Sequence, residues 1–370
     1  MTAASPAAGA STPGGLATVD LSGARVVRAT TGSRIGTSLA IAAVVGLAVV
    51  PFVAERTVQI TLIELLYYLA LAQMWNLLAG SSGLLSIGQQ GFVGVAAYGL
   101  FFFAESHRVP MLAAVLLAGV AALVVAVPAA AVAFRLRGGY FAVGTWVIAE
   151  MLRLITLRIE ALGAGDVQSF TTTNTFRGLG VDARIDLVYW LALFVGAGAT
   201  ALAVIVLRSR LGLGLQASAD SEGAAAALGV DVTCARLTIW LLAAFWTGLT
   251  GAVIHLNSSN VTNQNAFSVL DWTAIVIFIV VVGGKASVAG PIIGVGVYWA
   301  IAELIDDATT WRFIVLGTLA VVVAVVEPAG LFGALRRWRP IEPFPIRRSL
   351  RTPTTAPTTA HPSPDPTRGA

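Results

Sequence analysis

Ionisable side chains inside apolar stretches are the residues of this chain with the clearest capacity for chemistry. Glu150 and Arg153 are three positions apart, so they share one face of a predicted helix and can form an ion pair. Glu64 and Glu303 also lie in apolar stretches, with no evident partner. Because a charge is costly in lipid, such groups usually face a protein interior or a water-filled cavity. Glu150 and Arg153 are therefore candidates for a translocation pathway, although an internal or interfacial salt bridge is the simpler interpretation.

Residues for catalysis or metal binding do not form a pattern. Cys234 is the only cysteine, which excludes an intramolecular disulfide, and the histidines His107, His255 and His361 are far apart. None has a partner at the spacing that a metal site or an activated nucleophile needs. We therefore predict no catalytic residues, no metal and no cofactor bound by this chain.

The sequence also lacks a complete phosphate-binding loop motif. Gly284-Lys285 resembles the end of a phosphate-binding loop. That loop needs a glycine where Ile279 stands and a serine or threonine where Ala286 stands. If ATP drives this protein, we expect a partner to bind it.

A glycine-rich segment, Gly80–Tyr98, carries the neutral polar residues Ser86, Gln89 and Gln90. Each glycine weakens a helix interior by about 1 kcal/mol relative to alanine, which argues against a plain lipid-facing helix. The polar groups could hydrogen-bond a solute along a pathway. The alternative is close helix packing, with the amides satisfied by neighbouring helices.

The segment Ser209–Val230 is a stretch of charged and small residues between two long apolar runs, with Arg208, Arg210 and Arg236 at its edges. Its alanine-rich part predicts a short helix that ends at Gly229. On the cytoplasmic side of a bilayer such an element can dock a soluble partner. The alternative is an amphipathic surface loop that only joins two helices.

The elements that position these residues belong to a membrane protein. The chain is 57% hydrophobic and 11% charged, with a mean hydropathy of +0.83, whereas soluble domains are about 25% charged. The net charge of +4 does not indicate nucleic acid, because the arginines flank apolar runs. We predict an all-α, polytopic protein in a lipid bilayer.

Runs of about 20 apolar residues predict about ten transmembrane helices. The expected spans are Ile35–Val53, Val58–Ala79, Leu84–Ala104, Met111–Phe134, Tyr140–Ile159, Leu187–Leu207, Leu237–Leu256, Leu270–Val282, Ala289–Ile305 and Phe313–Val326. The third opens with the polar, glycine-rich stretch and the eighth is short. We expect both to be broken or partly re-entrant, with protein or a water cavity covering the irregular backbone.

Basic residues set the orientation, because cytoplasmic segments are enriched in lysine and arginine. With both termini inside, most basic residues fall on the inner side, and so does the loop near 208–236. The predicted domains are an N-terminal cytoplasmic tail, 1–34, a transmembrane domain, 35–333, and an Arg/Pro/Thr-rich cytoplasmic tail, 334–370. Both tails are expected to be disordered.

The outer side would include Asn257–Asn265, an uncharged, amide-rich segment. It could contact a solute-delivery protein or cap the pathway, but a plain solvated loop is the simpler expectation.

The residues from Leu77 to Gly333 resemble the permease subunits of branched-chain amino-acid ABC importers of the LivM type. That group also includes urea and short-amide permeases. Four blocks in order carry the resemblance: Gly83–Tyr98, Leu136–Thr145 (LRGGYFAVGT), Ser209–Val230 and Gly283–Gly294 (GGKASVAGPIIG). Several positions depart from the family pattern and leave the substrate open: Gln89, Gly139, Leu213, Gln216, Ala219, Lys285 and Ala286.

The resemblance implies a permease of the bacterial inner membrane that pairs with a second, related permease. Two cytoplasmic ATP-binding subunits would drive transport, and an external solute-binding protein would deliver the substrate. Four residues match the family's coupling pattern: Glu222, Ala224, Ala225 and Gly229. Ser86, Gln89 and Gln90 would be weaker candidates for the pathway between the two permeases.

Two other functions stay open at this point. Urea or a short amide could replace a branched-chain amino acid as the substrate. A secondary transporter driven by an ion gradient would instead use buried acidic groups, for which Glu64, Glu150 and Glu303 are candidates. A secondary transporter of this kind would not explain the alanine-rich cytoplasmic helix.

Overall fold

A computed structural model describes residues 25–27, 31–162, 167–169, 180–305, 310–338 and 349–351. Most of these residues are helical, as predicted for an all-α protein. The described α-helices are α1 (Thr31–Val53), α2 (Arg56–Ser82), α3 (Gln89–Phe101), α4 (Met111–Ala133), α5 (Gly139–Thr156), α6 (Val181–Arg208), α7 (Arg210–Asp220), α8 (Glu222–Ala227), α9 (Val232–Ser258), α10 (Asn263–Ala266), α11 (Ile275–Gly283), α12 (Ala289–Leu304), α13 (Thr310–Val326) and α14 (Gly330–Trp338).

Short non-α elements accompany these helices. Phe102–Ser106 and Leu270–Ala274 are π-helical turns, and Glu160–Leu162 is a 3-10 turn. Two antiparallel strand pairs connect distant segments. They join β1 (Arg25–Val27) to β4 (Ser349–Arg351), and β2 (Gln168–Ser169) to β3 (Asn260–Val261). The first pair belongs to a separate small unit.

Each of the ten predicted spans coincides with a helix. Six helical stretches in the described part are long and apolar enough to cross a membrane, and the pair α13–α14, bent by 47°, brings the number to seven. The count of ten is approximate because α3, α5 and α12 have 13, 18 and 16 residues, fewer than the roughly 20 that a span needs.

The predicted domain boundaries differ from the helical region by a few residues. Helix α1 begins at Thr31, before the expected start at 35, and α14 continues to Trp338, past the expected end at 333. Most of the predicted tails, 1–34 and 334–370, lies outside the described residues, and the disorder expected there stays a prediction.

Two of the predicted spans contain the irregular backbone that was expected. Helix α2 ends at Ser82, residues 83–88 are not helical, and α3 starts only at Gln89. The predicted span Leu270–Val282 is short because it starts at the π-helical turn and leaves out α10 and residues 267–269. With them, Asn263–Gly283 reaches 21 residues.

The core is built on small residues, which let helix axes approach closely where lipid offers no hydrophobic driving force. Helix α4 buries alanines at every fourth position: Ala114, Ala118, Ala122, Ala126 and Ala130. This stripe packs on α9, where a methyl group added at Gly248 would lie 2.5 Å from the Cβ of Ala122. Helix α2, buried along most of its length, packs against α6, α9, α11 and α12.

Large apolar side chains cover the outer surface of the helices. Exposed leucine, isoleucine, valine and aromatic residues lie along α1, α4, α5 and α13. So much exposed apolar surface would be unstable in water, and it fits a protein whose outer faces contact lipid.

Glycines bring the backbones of α11 and α12 into direct contact. A methyl group at Gly294 would lie 1.9 Å from the carbonyl oxygen of Ile279, and one at Gly290 would lie 1.9 Å from that of Gly284. Gly290 and Gly294, four residues apart on α12, therefore permit a close approach of the two helices. No side chain larger than hydrogen fits at either position without moving the backbone.

Gly294→Ala should lower the stability of the protein, because its methyl group meets backbone that cannot rotate away. Overpacking of this kind costs about 1–3 kcal/mol. Gly296→Ala is the matched control, since a methyl group there meets nothing within 4 Å. Thermal unfolding in detergent should show a lower midpoint for Gly294→Ala only. Equal midpoints for the two variants would contradict the packing described.

Candidate functional site

The segment predicted to dock a partner folds as two short helices before α9. Ser209 caps α7, and its Oγ accepts from the Gly212 amide at 3.4 Å. Leu215 is fully buried, and Ser218 bonds back to its carbonyl at 2.8 Å. Helix α7 thus packs against α2 and α9, and it also contacts α8.

Helix α8 ends in a Schellman motif, in which a left-handed residue closes the last turn. Gly229 has φ +81, its amide donates to the Ala226 carbonyl at 2.9 Å, and the Val230 amide donates to the Ala225 carbonyl at 3.1 Å. Asp231 then caps α9 by accepting from the Cys234 amide at 2.9 Å. The C-terminal end of α8 and the N-terminal end of α9 are therefore both fixed by capping hydrogen bonds of residues 229–231. This agrees with the prediction of a short helix that ends at Gly229.

Helix α8 presents most of its described residues to the outside. Ala225 is 1% exposed and anchors the helix, whereas Leu228 is 82% exposed at its end. Glu222 and Ala224 lie in α8, and their side chains are outside the described residues. The coupling role of Glu222, Ala224, Ala225 and Gly229 stays a prediction, but α8 has the accessibility that such a role needs.

The broken entry to α3 is covered by protein. Ser86 is buried, and its carbonyl accepts from the indole nitrogen of Trp75 at 2.8 Å. The Ile87 amide donates to the Thr145 hydroxyl at 3.0 Å, and a methyl group at Gly88 would lie 2.3 Å from the Thr145 carbonyl. The irregular backbone is therefore stabilised by α2 and α5.

Gln89 and Gln90 point into the bundle at the start of α3. The Gln89 amide nitrogen donates to the Leu71 carbonyl at 3.0 Å, while its Oε1 is buried without a hydrogen-bond partner. Gln90 Oε1 accepts from the Thr273 hydroxyl at 2.5 Å. These contacts describe close packing within one chain, which was the alternative to a pathway. A pathway role for Ser86, Gln89 and Gln90 stays a prediction.

Glu150 and Arg153 form the ion pair that their spacing predicted, with 2.6 Å between Oε1 and Nη2. Arg153 also donates to Asn263 Oδ1 at 2.9 Å, and Asn263 donates back to the Arg153 carbonyl at 3.1 Å. The pair is partly exposed and ties α5 to α10. This is the simpler interpretation given above, and the proposed place of both residues on a pathway stays untested.

The segment Asn257–Asn265 is not the plain solvated loop that was expected. Asn263 is buried, and Thr262 caps α10 by accepting from the Asn265 amide at 3.2 Å. The sequence contained a signal for this cap that the prediction overlooked. Thr262 stands three residues before Asn265, which is the spacing at which a capping side chain accepts a hydrogen bond from a backbone amide of the first helical turn.

Two amides on α2 that sequence analysis missed hold the turn between α11 and α12. Gln73 donates to the Val288 carbonyl at 2.9 Å. Asn76 donates to the Ser287 carbonyl at 2.8 Å and accepts from the Ala286 amide at 2.9 Å. Their spacing of three places them on one helix face, and neutral amides within an apolar span were the available signal.

Long apolar helices, lipid-facing surfaces and buried side-chain amides that donate to backbone carbonyls define a multi-pass membrane protein, with a helical segment exposed at α8. The chain belongs to the family described as "Branched-chain amino acid transport system / permease component", whose profile matches residues 57–326. It is therefore a transport permease and not an enzyme, and the resemblance noted in the sequence is confirmed.

Individual relatives support the same family. The high-affinity branched-chain amino acid transport system permease protein LivM of Escherichia coli K12 is 26% identical over 336 residues. That of Salmonella typhimurium LT2 is 25% identical over 336 residues. Each alignment covers 84% of this chain and 78% of the relative. No solved structure gives a significant match.

Asn76→Leu should loosen the turn between α11 and α12, because the Ala286 amide loses its acceptor. Loss of a hydrogen bond of this kind costs about 0.5–1.5 kcal/mol. Hydrogen exchange of residues 284–288 in detergent should become faster. Thr238→Val is the control, since the Thr238 hydroxyl donates to the Cys234 carbonyl within its own helix, α9, in an exposed hydrogen bond. Unchanged exchange in Asn76→Leu would show that these bonds do not hold the turn.

Proposed function

We propose that this chain is the inner-membrane permease subunit of an ATP-binding-cassette importer of branched-chain amino acids. Membership of the permease family supports the transport function. The relatives that match over most of the chain are permeases of high-affinity branched-chain amino acid transport systems, which supports the substrate. Urea or a short amide remains the alternative substrate.

The observation that carries the coupling proposal is the geometry of α8. An exposed helix is fixed at one end by Ala225 and the Gly229 turn, and it leads directly into the long helix α9. A force on α8 therefore reaches the core without being absorbed by a flexible linker. Glu222, Ala224, Ala225 and Gly229 are the proposed contacts of the ATPase.

The proposed assembly contains a second, related permease, two cytoplasmic ATP-binding subunits and an external solute-binding protein. ATP would be held by the ATP-binding subunits, and closure of their dimer would push on α8. The push would bias the permease pair between outward-facing and inward-facing states, with the pathway between the two permeases.

The proposed orientation places both termini in the cytoplasm. It is supported by the arginines at the ends of the elements that would face inward, such as Arg135 and Arg137 after α4 and Arg208 at the end of α6. The segment 208–236 is then accessible to the ATPases.

Glu222→Arg should abolish ATP-driven uptake of labelled leucine, because it reverses a charge in the proposed contact. Uptake is measured in proteoliposomes that hold this chain with its partner permease, ATPases and binding protein, with labelled urea in parallel. The matched control is Glu160→Arg, an exposed carboxylate in the 3-10 turn that the proposed orientation places outside. Its uptake should equal that of the wild type.

The outcomes separate the candidate functions. Uptake of urea instead of leucine would show that urea is the substrate, and the proposed ATP-driven mechanism would stand. Uptake by this chain alone, driven by a proton or sodium gradient and unaffected by Glu222→Arg, would contradict coupling to an ATPase. It would direct attention to Glu64, Glu150 and Glu303.

Gly229→Val should impair uptake more than Gly223→Val. Gly229 has φ +81, a conformation that costs an L residue about 1–2 kcal/mol and a β-branched one more, so valine would displace the end of α8. Gly223 is exposed, has no positive φ and faces open space. Uptake rates of the two variants, normalised to the amount of assembled complex, test this. Equal rates would show that the turn is not needed for coupling.

A further inference from the structure

A polar cavity of about 310 Å³ lies at the proposed cytoplasmic end of the helical bundle. It is formed just after the ends of α2 and α4 and at the starts of α5 and α9, and it is called here the α5–α9 cavity. Ligand sites in proteins are commonly cavities of about 300–1,000 Å³. The volume is therefore sufficient for a ligand group of the size of a lipid headgroup.

Part of the cavity wall comes from a sequence block to which the proposed function gives no role. Leu136, Arg137 and Gly138 belong to LRGGYFAVGT, the second block of the family resemblance. Thr233 and Arg236 come from the start of α9, shortly after the turn that ends α8. The cavity thereby brings this block next to the first turns of α9.

The side chains of the cavity include the donors that an anion needs. Arg137 and Thr233 are both exposed, and within the described residues neither side chain has a hydrogen-bond or ion-pair partner. Arg236 also lines the cavity, but it has an interaction of its own, which leaves Arg137 and Thr233 as the groups open to a ligand. None of the described lining residues is acidic.

The backbone at the start of α5 supports the same kind of ligand. The first amides of an α-helix have no partner within the helix, and a helix N-terminus favours negative charge. Gly138 precedes α5 with φ +56 and provides no side-chain cap. A methyl group added at Gly138 or Gly139 would meet nothing within 4 Å. The two glycines therefore leave space for a ligand beside Arg137.

Neighbouring side chains indicate that the cavity lies at the border of the bilayer. Tyr140, in the first turn of α5, is 79% exposed, and Val132, near the end of α4, is 57% exposed. Tyrosine is enriched at membrane–water interfaces, where its ring lies at the level of the lipid headgroups. The apolar residues Phe134 and Leu136 also line the cavity. A ligand with an anionic part and an apolar part fits these surroundings.

The combination of groups matches an anionic phospholipid. Basic pockets between transmembrane helices on the cytoplasmic side are suited to anionic headgroups. A guanidinium group can donate two parallel hydrogen bonds to a phosphate, which gives geometric specificity as well as charge. The acyl chains of such a lipid would continue along the exposed apolar faces of α4 and α5.

We propose that the α5–α9 cavity binds the phosphate group of an anionic phospholipid from the cytoplasmic leaflet. Arg137 donates to the phosphate oxygens, and the Thr233 hydroxyl and the first-turn amides of α5 complete the site. This site goes beyond the proposed function, because it holds a lipid and not the transported solute. It rests on the orientation proposed above.

Arg137→Gln should lower the preference of the protein for phosphatidylglycerol over phosphatidylcholine about fivefold, because one arginine beside an anionic headgroup is lost. The full chain, purified in detergent, is mixed with equal amounts of the two dioleoyl lipids, and the bound lipids are counted by native mass spectrometry. Arg137→Lys keeps the charge without the two parallel hydrogen bonds, so its preference should lie between those of Arg137→Gln and the wild type.

Arg135→Gln is the matched control for this measurement. Arg135 is also exposed, two positions from Arg137, and it is not among the described residues that line the cavity. Its lipid preference should equal that of the wild type. The same preference in Arg137→Gln as in the wild type, or an equal loss in Arg135→Gln, would overturn the proposal.

A second measurement uses the wild type and covers the case in which Arg137→Gln does not fold. Hydrogen exchange of residues 138–141 and 232–236 is followed in detergent with added phosphatidylglycerol, phosphatidylcholine or inorganic phosphate. We expect slower exchange with phosphatidylglycerol only. Equal protection by inorganic phosphate would overturn the assignment to a lipid, and no protection by phosphatidylglycerol would overturn the site itself.

Failure of the lipid site differs from failure of the proposed function, because both readouts measure binding without transport. A chain that prefers phosphatidylglycerol through Arg137 but imports no amino acid would keep the lipid site and contradict the importer. A chain that imports leucine with ATP and shows no such preference would keep the importer and contradict the lipid site.

Discussion

Close contact between helix backbones is the constraint on which the rest of this structure depends. In lipid, apolar side chains gain little by leaving the solvent, so helices associate through van der Waals packing and hydrogen bonds across short distances. Gly294 against the Ile279 carbonyl and Gly248 against Ala122 provide such distances. The close approach also allows Gln73 and Asn76 on α2 to bond the backbone of the turn after α11. At that contact the small residue is Gly80, where an added methyl group would lie 2.6 Å from the Ala286 amide nitrogen.

The sequence predicted the features that depend on neighbouring residues. Apolar runs located a helix for each expected span, and the glycine-rich stretch at Gly83–Gly88 indicated the break before α3. The turn at Gly229 also followed from local chemistry, because only a residue without Cβ takes that conformation at no steric cost. The ion pair of Glu150 and Arg153 was predicted by its spacing on one helix.

Features that depend on distant residues could not be predicted in this way. Asn263 bonds Arg153 from 110 positions away, and Tyr298 approaches Glu64 from 234 positions away. No periodicity within a helix encodes which faces of two separate helices will meet. Glu64 was therefore seen as a carboxylate without a partner, and its approach to Tyr298 on α12 became evident only in the folded chain. For the same reason, the partners of Gln89 and Gln90 on other helices could not be predicted, and the place of both residues on a pathway stays a prediction.

The junction of α8 and α9 has a mechanical consequence. Helix α9 has 27 residues, so at a rise of 1.5 Å per residue it is a rod about 40 Å long. A tilt of roughly 5° at its first turn would displace its far end by about 3.5 Å if the rod stays straight. That end carries His255 and leads through Ser259 to β3 and α10. A small angular movement at one end of α9 is thereby amplified into a displacement larger than a hydrogen-bond length at the other.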